Sequence, residues 1–341
     1  MRVAVVWNND CTGVINKFGH PCPEEYRTGG TFEAVVAALQ DGGHETLLCE
    51  GDKGLLTTLE RFMPTNPQGR PSGIVFNLAE GIQGECRCTH VPAMLEMAGV
   101  PYTASSPLGH ALTLDKVITK RLLRDCGVPT PNFRVMRRGT ESIGDLRFPV
   151  VVKPRLEDCS LGLQLVHEPA QLRQAVEAIV TQYQQDALVE EYVDGREIAV
   201  ALLGNEELDV LPLVEHDFGD RKTRLMTREA KYVASAMPPQ ICPARIGSGI
   251  ETMLRDISVA AFRACQCRDY ARVDLRVDRS GQPFVLEINT LPGLSMSSSY
   301  VLAGITAGYS HTSLVNRILD VAHKRYFGVG IDDVPRGGVG R

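Results

Sequence analysis

Two short stretches near the end of the chain place oxygen-bearing side chains where a cation could meet them. In "ARVDLRV" strand alternation sends Arg272, Asp274 and Arg276 to one face and Val273, Leu275 and Val277 to the other. In "VLEIN" the same rule groups Val285, Glu287 and Asn289. A hairpin turning at Ser280 sets residue 274 opposite about 287, so Asp274, Glu287 and Asn289 converge on one patch. Crowded carboxylates are unfavourable unless a cation or a shared proton relieves them. Hard oxygen ligands suit Mg2+, which takes one or two carboxylates and fills its remaining positions with water and phosphate. The same pattern also describes the solvated face of an ordinary hairpin, so other residues have to decide.

Anion chemistry is offered by "VVVKP", which leaves Lys153 at the end of an apolar strand, ahead of the loop "RLEDCSLGLQ". A lysine there acts as a point charge on phosphate while loop N–H groups cap the oxygens. Taken alone, such a lysine is more often simply solvated, and the same holds for Lys116 on its helix. "LVEEYVDGRE" supplies Glu190 and Glu197, acceptors for adenine and ribose, although by itself a charged hairpin is the simpler reading.

These residues need elements to hold them. "RVAVVW", "HETLLC" and "SGIVFNLAE" read as strands, alternating with helices at "TFEAVVAALQDGG" and "KGLLTTLERFM". That order predicts an open parallel sheet with ligands beyond its strand ends, near residues 8–30 and "AEGIQGECRCTH". "LTLDKVITKRLLRDCG" reads as one helix capped by Thr113 and stopped by Gly127. "FPVVVKP" is a buried strand and "QLRQAVEAIVTQY" an amphipathic helix, while "ALVEEYVDGREIAVALLG" is strand, turn, strand. Residues 217–240 form a long charged loop of the kind that carries function. A helix at "GSGIETMLRDISVAAFRACQ" precedes the acidic hairpin, and the tail "GVGIDDVPRGGVGR" is expected to be disordered.

The 341 residues suit several sub-domains sharing one cleft, and we divide them at 1–112, 113–189, 190–325 and a tail at 326–341. A formal charge of -5 with no basic block argues against nucleic acid as a partner. No apolar run approaches the roughly 20 residues that span a bilayer, and "MRVAVVWNND" is wrongly flanked for a signal peptide, so the expected location is cytoplasmic. Ten scattered cysteines fit reduced thiols. Cys86, Cys88 and His90 in "CRCTH" lack the usual zinc spacing, so loop thiols are preferred to a metal site.

Taken together, "LTLDKVITKRLL", "PVVVKP", "LVEEYVDGRE", "EAKY", "ARVDLRV" and "VLEINTLPGL" resemble the ATP-grasp superfamily, most closely the D-alanine:D-alanine ligase family. The resemblance implies an ATP-grasp fold, α/β and α+β, with an N-terminal open parallel-sheet domain. It also implies an ATP- and Mg2+-dependent ligase that activates a carboxylate as an acyl phosphate for attack by an amine. ATP would be a substrate and two Mg2+ ions would serve it. On this chain the resemblance assigns Lys116, Lys153, Glu190, Tyr192, Val193, Glu197 and Lys231 to ATP, and Asp274, Glu287 and Asn289 to the metal. Arg272 and the Gly293 N–H would stabilise the tetrahedral intermediate, and Lys231 and Tyr232 would close over the γ-phosphate.

The substrate side departs from the family. The N-terminal acid falls at Glu25, with Glu24 adjacent, and Cys159 stands where a serine is usual, preceded by Asp158 in place of glycine. Cys88 replaces an acid beside Arg87, which would free Arg87 for a substrate carboxylate. Ser298 matches the serine that binds the second substrate's carboxylate, while Ser299 replaces an apolar residue. We therefore expect amino-acid-like small molecules as substrates, with D-alanine one candidate, and a homodimer by resemblance alone. Alternatives are an authentic D-alanine:D-alanine ligase of peptidoglycan synthesis, a cyclising or phosphotransfer enzyme, and a catalytically silent nucleotide-binding regulator.

Overall fold

The run Val3–Val6, apolar on both faces, lies fully buried at the centre of a parallel sheet, as such runs must when helices cover both sides. Strand β1 (Arg2–Trp7) sits between β2 (Glu45–Glu50) and β3 (Gly73–Asn77), with α1 (Thr31–Asp41) and α2 (Leu55–Phe62) in the crossovers. The structure, a computed structural model, describes residues 1–8, 30–67, 69, 71–221, 223–232 and 236–331. Glu24, Glu25, the side chain of Tyr232 and most of the tail lie outside the described residues. Among those described, no helix is long and apolar enough to cross a membrane.

After α3 (His90–Met97) the chain forms α4 (Pro107–Leu114) and α5 (Lys116–Asp125). The single helix expected here is two, and Thr113 is not a cap. Its hydroxyl donates back to the carbonyls of Gly109 and His110 at 3.0 and 3.2 Å, inside α4. Asp115 breaks the run with extended backbone and caps α5, accepting from the N–H groups of Val117 and Ile118. The same carboxylate takes Arg155 through two bonds of 2.8 and 2.5 Å. Asp115→Ala should therefore cost about 1–2 kcal/mol through the cap. A lowered denaturant midpoint is the check, and an unchanged midpoint would remove the capping role.

The second sheet runs β4 (Phe133–Met136), β7 (Ala187–Glu191), β5 (Val150–Pro154), β6 (Gln164–Val166), all antiparallel, and packs on α6 (Pro169–Tyr183). The third orders β11 (Gln240–Ile241), β10 (Val214–His216), β8 (Gly195–Gly204), β12 (Tyr270–Asp278) and β13 (Pro283–Asn289), with β9 (Leu208–Val210) also on β8. The strand–turn–strand at residues 187–204 is thus no hairpin. β7 and β8 belong to different sheets, and Tyr192–Asp194 is the link between them. The charged loop of residues 217–240 contains the short α7 (Arg228–Tyr232).

One face of the third sheet is apolar and packs on α8 (Ser248–Ala264), with Val273, Leu275, Val285 and Ile288 meeting Leu254, Ala261 and Phe262. Ala199, Ala201 and Val214 belong to a different cluster, shared with Val3, Val5, Leu39 and Phe76. That cluster also holds Tyr300 and Leu314 of α9 (Ser299–Thr306) and α10 (His311–Phe327). The C-terminal helices therefore fix the first sheet against the third, and burying each such large apolar side chain contributes about 1.5–3 kcal/mol. The cleft opens where this packing ends.

Candidate active site

Strand pairing places the acidic patch. Arg272 lies opposite Asn289 and Asp274 opposite Glu287, as the hairpin reading requires. Beyond them the register shifts, so that Leu275 pairs with Val285 and Leu286 is the extra residue of a bulge. The bulge corrects the expected facing of Val285, which joins Leu275 in the core rather than Glu287 at the cleft. It also turns Leu286 and Glu287 together into the cleft, a cavity of about 440 Å³.

Arg272 grips Asp274 with two bonds, Nε to Oδ1 at 2.6 Å and a terminal nitrogen to Oδ2 at 2.8 Å. Asn289 Nδ2 donates to the same Oδ2 at 2.9 Å, which leaves its amide oxygen as its other polar end. Burial works against charge on Arg272, but Asp274 beside it more than compensates and raises its pKa. Glu287 is different. Burial alone would raise its pKa, yet Lys116, Lys153, Lys231 and Arg272 together hold it down at about 2. Its Oε2 lies 3.6 Å from Lys116 Nζ.

Three further cations line the cleft from three different elements. Lys116 opens α5, Lys153 is the penultimate residue of β5, and Lys231 comes from α7. Lys116 Nζ also donates to the Glu157 carbonyl at 2.5 Å and approaches Asp158 at 3.4 Å. Ser160 Oγ donates to the Met226 carbonyl at 2.7 Å, tying the loop after β5 to the charged segment opposite. In that loop Cys159 and Ser160 both adopt left-handed backbone, at φ of 56° and 59°.

Several expected contacts take other partners. Glu190 does not line the cleft; its two oxygens lie 2.5 Å from Lys153 Nζ and 2.8 Å from Lys120 Nζ, so the carboxylate faces two buried ammonium groups. Tyr192 and Val193 line a second hollow, of about 360 Å³. The Val193 carbonyl accepts from Arg276 at 2.6 Å, and the Tyr192 hydroxyl donates to the Arg224 carbonyl at 3.0 Å. Glu197 does face the cleft, with Oε2 held by Arg276 at 2.8 Å. Arg87 lines the wall but is not free as its neighbour Cys88 suggested. Asp158 at 3.5 Å and Glu157 at 3.7 Å, both from the loop after β5, supply the acids.

Gly293, Cys159, Ser298 and Ser299 line the same cavity. Ser298 caps α9, accepting from the Val301 N–H at 3.2 Å, and Ser299 is its buried first residue. Sequence reasoning passed over His216, Leu286 and Lys120. His216 lies directly opposite Glu197 and lines the cleft, where burial lowers its pKa to about 4. The signal for Lys120 was its place one helical turn after Lys116 in "DKVITK".

A cleft between two antiparallel sheets, walled by lysines from three elements and floored by paired acids, is the architecture of an ATP-grasp enzyme. The D-ala D-ala ligase C-terminus family matches residues 122–320. A D-alanine--D-alanine ligase from Desulforudis audaxviator is 33% identical over 299 residues, covering 86% of this chain and 92% of that protein. From Sinorhizobium fredii (strain NBRC 101917 / NGR234), "Uncharacterized protein y4sG" is 72% identical over 334 residues, covering 97% and 99%. In fold, the crystal structure of a Bacillus anthracis D-alanine--D-alanine ligase complexed with ATP matches with a TM-score of 0.74 at 22% identity, over 95% of this chain and 98% of that one. The chain belongs to the D-alanine:D-alanine ligase family and is an ATP-dependent carbon–nitrogen ligase.

Proposed function

We propose that the chain joins the carboxylate of one amino-acid-like substrate to the amine of another through an acyl phosphate, releasing ADP and phosphate. The observation that carries this reading is the meeting of Lys116, Lys153, Lys231 and Arg272 around Glu287 in one cleft. A carboxylate oxygen of the first substrate attacks the γ-phosphorus and ADP leaves. The amine then attacks the acyl carbon, the carbon–oxygen bond to phosphate breaks, and the amine gives up a proton.

Lys116, Lys153 and Lys231 would hold the phosphates, and Glu197 a ribose hydroxyl. The chemistry of the donor set fits Mg2+ at Asp274, Glu287 and Asn289, two carboxylates and an amide oxygen. Water and substrate phosphate would complete the shell, as Mg2+ commonly requires. When bound, Mg2+ supplies positive charge against the phosphate oxygens. Arg272 and the Gly293 N–H would meet the negative charge that grows on the acyl oxygen, each contributing about 3 kcal/mol. The Lys231–Tyr232 segment would exclude water that otherwise hydrolyses the acyl phosphate.

The acceptor pocket would be set by Ser298 and Ser299. Ser298, as the helix cap, keeps its hydroxyl proton to donate to a carboxylate, and Ser299 puts a polar group where family members are apolar. The substrate is therefore read as a pair other than two D-alanines. The test is ADP release with Mg2+ and ATP against D- and L-amino acids, singly and paired, with product masses, on the unaltered chain and on Ser299→Leu. We expect D-alanine alone to be a poor substrate, and Ser299→Leu to shift preference toward small apolar acceptors. Efficient D-alanyl-D-alanine formation by the unaltered chain would make it a cell-wall ligase instead.

A further inference from the structure

Lys120 is fully buried on α5, and the cleft does not reach it. Its Nζ lies 2.8 Å from Glu190 Oε2 and donates to Thr130 Oγ1 at 2.8 Å. Thr130 Oγ1 donates in turn to the Val285 carbonyl at 2.8 Å, beside the bulge that presents Glu287. The other Glu190 oxygen lies 2.5 Å from Lys153 Nζ, and Lys153, unlike its two partners, lines the cleft. One carboxylate thus serves two ammonium groups, all three withdrawn from water.

The count of charges matters more than the distances. In a simple Lys153–Glu190 pair, any movement of Lys153 toward a ligand would strand a buried carboxylate, and an uncompensated buried charge is strongly unfavourable. A second lysine changes this. With Lys120 in place, Glu190 stays neutralised when Lys153 turns to the cleft, and the surplus positive charge is available to an anion there.

We propose that Lys120 is a positioning residue: by holding Glu190 it releases Lys153 from that carboxylate to the phosphates of a bound nucleotide. The inference rests on reading the cleft as the nucleotide site. Burial pushes the Lys120 pKa down to about 8, with Glu190 pulling it back up, so the ammonium is retained at neutral pH. Burial would raise the Glu190 pKa, but Lys120 and Lys153 outweigh it and hold the carboxylate ionised.

The test measures MgATP binding to the full chain by calorimetry, with KM for ATP and kcat from ADP release. Lys120→Met leaves Lys153 locked in a neutral pair, and we expect ATP to bind about tenfold more weakly, with KM rising more than kcat falls. Adding Glu190→Gln removes the lock and should return affinity to within about threefold of the unaltered chain. A merely structural role predicts no such rescue, because the double variant has lost more native contacts than the single one. Unchanged affinity in Lys120→Met, or weakened affinity that Glu190→Gln fails to restore, overturns the proposal. Should Lys120→Met not fold, Lys120→Gln, which can keep the bond to Thr130, is judged by the same outcomes. Failure of the unaltered chain to bind ATP would overturn the nucleotide reading itself, and this inference with it.

Discussion

Glu287→Gln is expected to lower turnover by about 100-fold or more while nucleotide still binds, on the scale of losing one preorganised electrostatic partner of the reaction. The substitution keeps the side chain's shape and removes one negative charge from among Lys116, Lys153, Lys231 and Arg272. On the proposed reading those cations would face the triphosphate with one anion fewer between them, so affinity for ATP without metal is expected to hold or rise. What is lost is the strongest oxygen donor of the proposed metal set, because an amide cannot replace a carboxylate held ionised down to about pH 2. Paired measurements of ATP affinity and ADP release separate the two effects. Turnover within threefold of the unaltered chain would remove Glu287 from the metal set and leave it a counter-ion to Lys116.

Arg272→Lys is the second large effect, with turnover expected to fall by about 100-fold and the fold retained. Arg272, which lines the cleft, spends Nε and one terminal nitrogen on Asp274, and its planar fork leaves the other terminal nitrogen for a second partner. A lysine restores the charge but not the fork: it can pair with Asp274 or face a developing oxyanion, not both with the same geometry. Removing the charge altogether is a poorer experiment, since Asp274 would keep only the Asn289 bond and a partly buried carboxylate would be left underpaired. The check is kcat against thermal midpoint. A normal midpoint with depressed kcat supports the role at the acyl oxygen, whereas unchanged kcat would assign Arg272 simply to holding Asp274.

Much of the site was legible before any coordinates. The facing of Asp274 and Glu287 followed from strand parity and a turn at Ser280, both local properties of the chain. Lys116 and Lys153 were unremarkable one by one, and it was the order of the motifs carrying them that singled them out. The parallel order of the first sheet followed from alternating strands and helices. In each case the informative signal lay within one element or between neighbours in sequence.

What the sequence left open were the choices between partners distant along the chain. Strand alternation paired Val285 with Glu287, and only the bulge at Leu286, accommodated by packing on α8, reversed it. Charge alone made Glu190 look available to a ligand, yet Lys120 and Lys153 are folded onto it from two other elements. Arg87 lost its neighbouring acid to Cys88 and regained two from a loop some seventy residues later. The turn at Tyr192–Asp194 looked like a hairpin, but its strands were claimed by different sheets. Periodicity is written by each residue's immediate neighbours, so the sequence determined the elements and the cleft-facing positions on them. Ion pairs and sheet membership are settled by which groups are left unpaired when those elements pack, and that only the tertiary structure could decide.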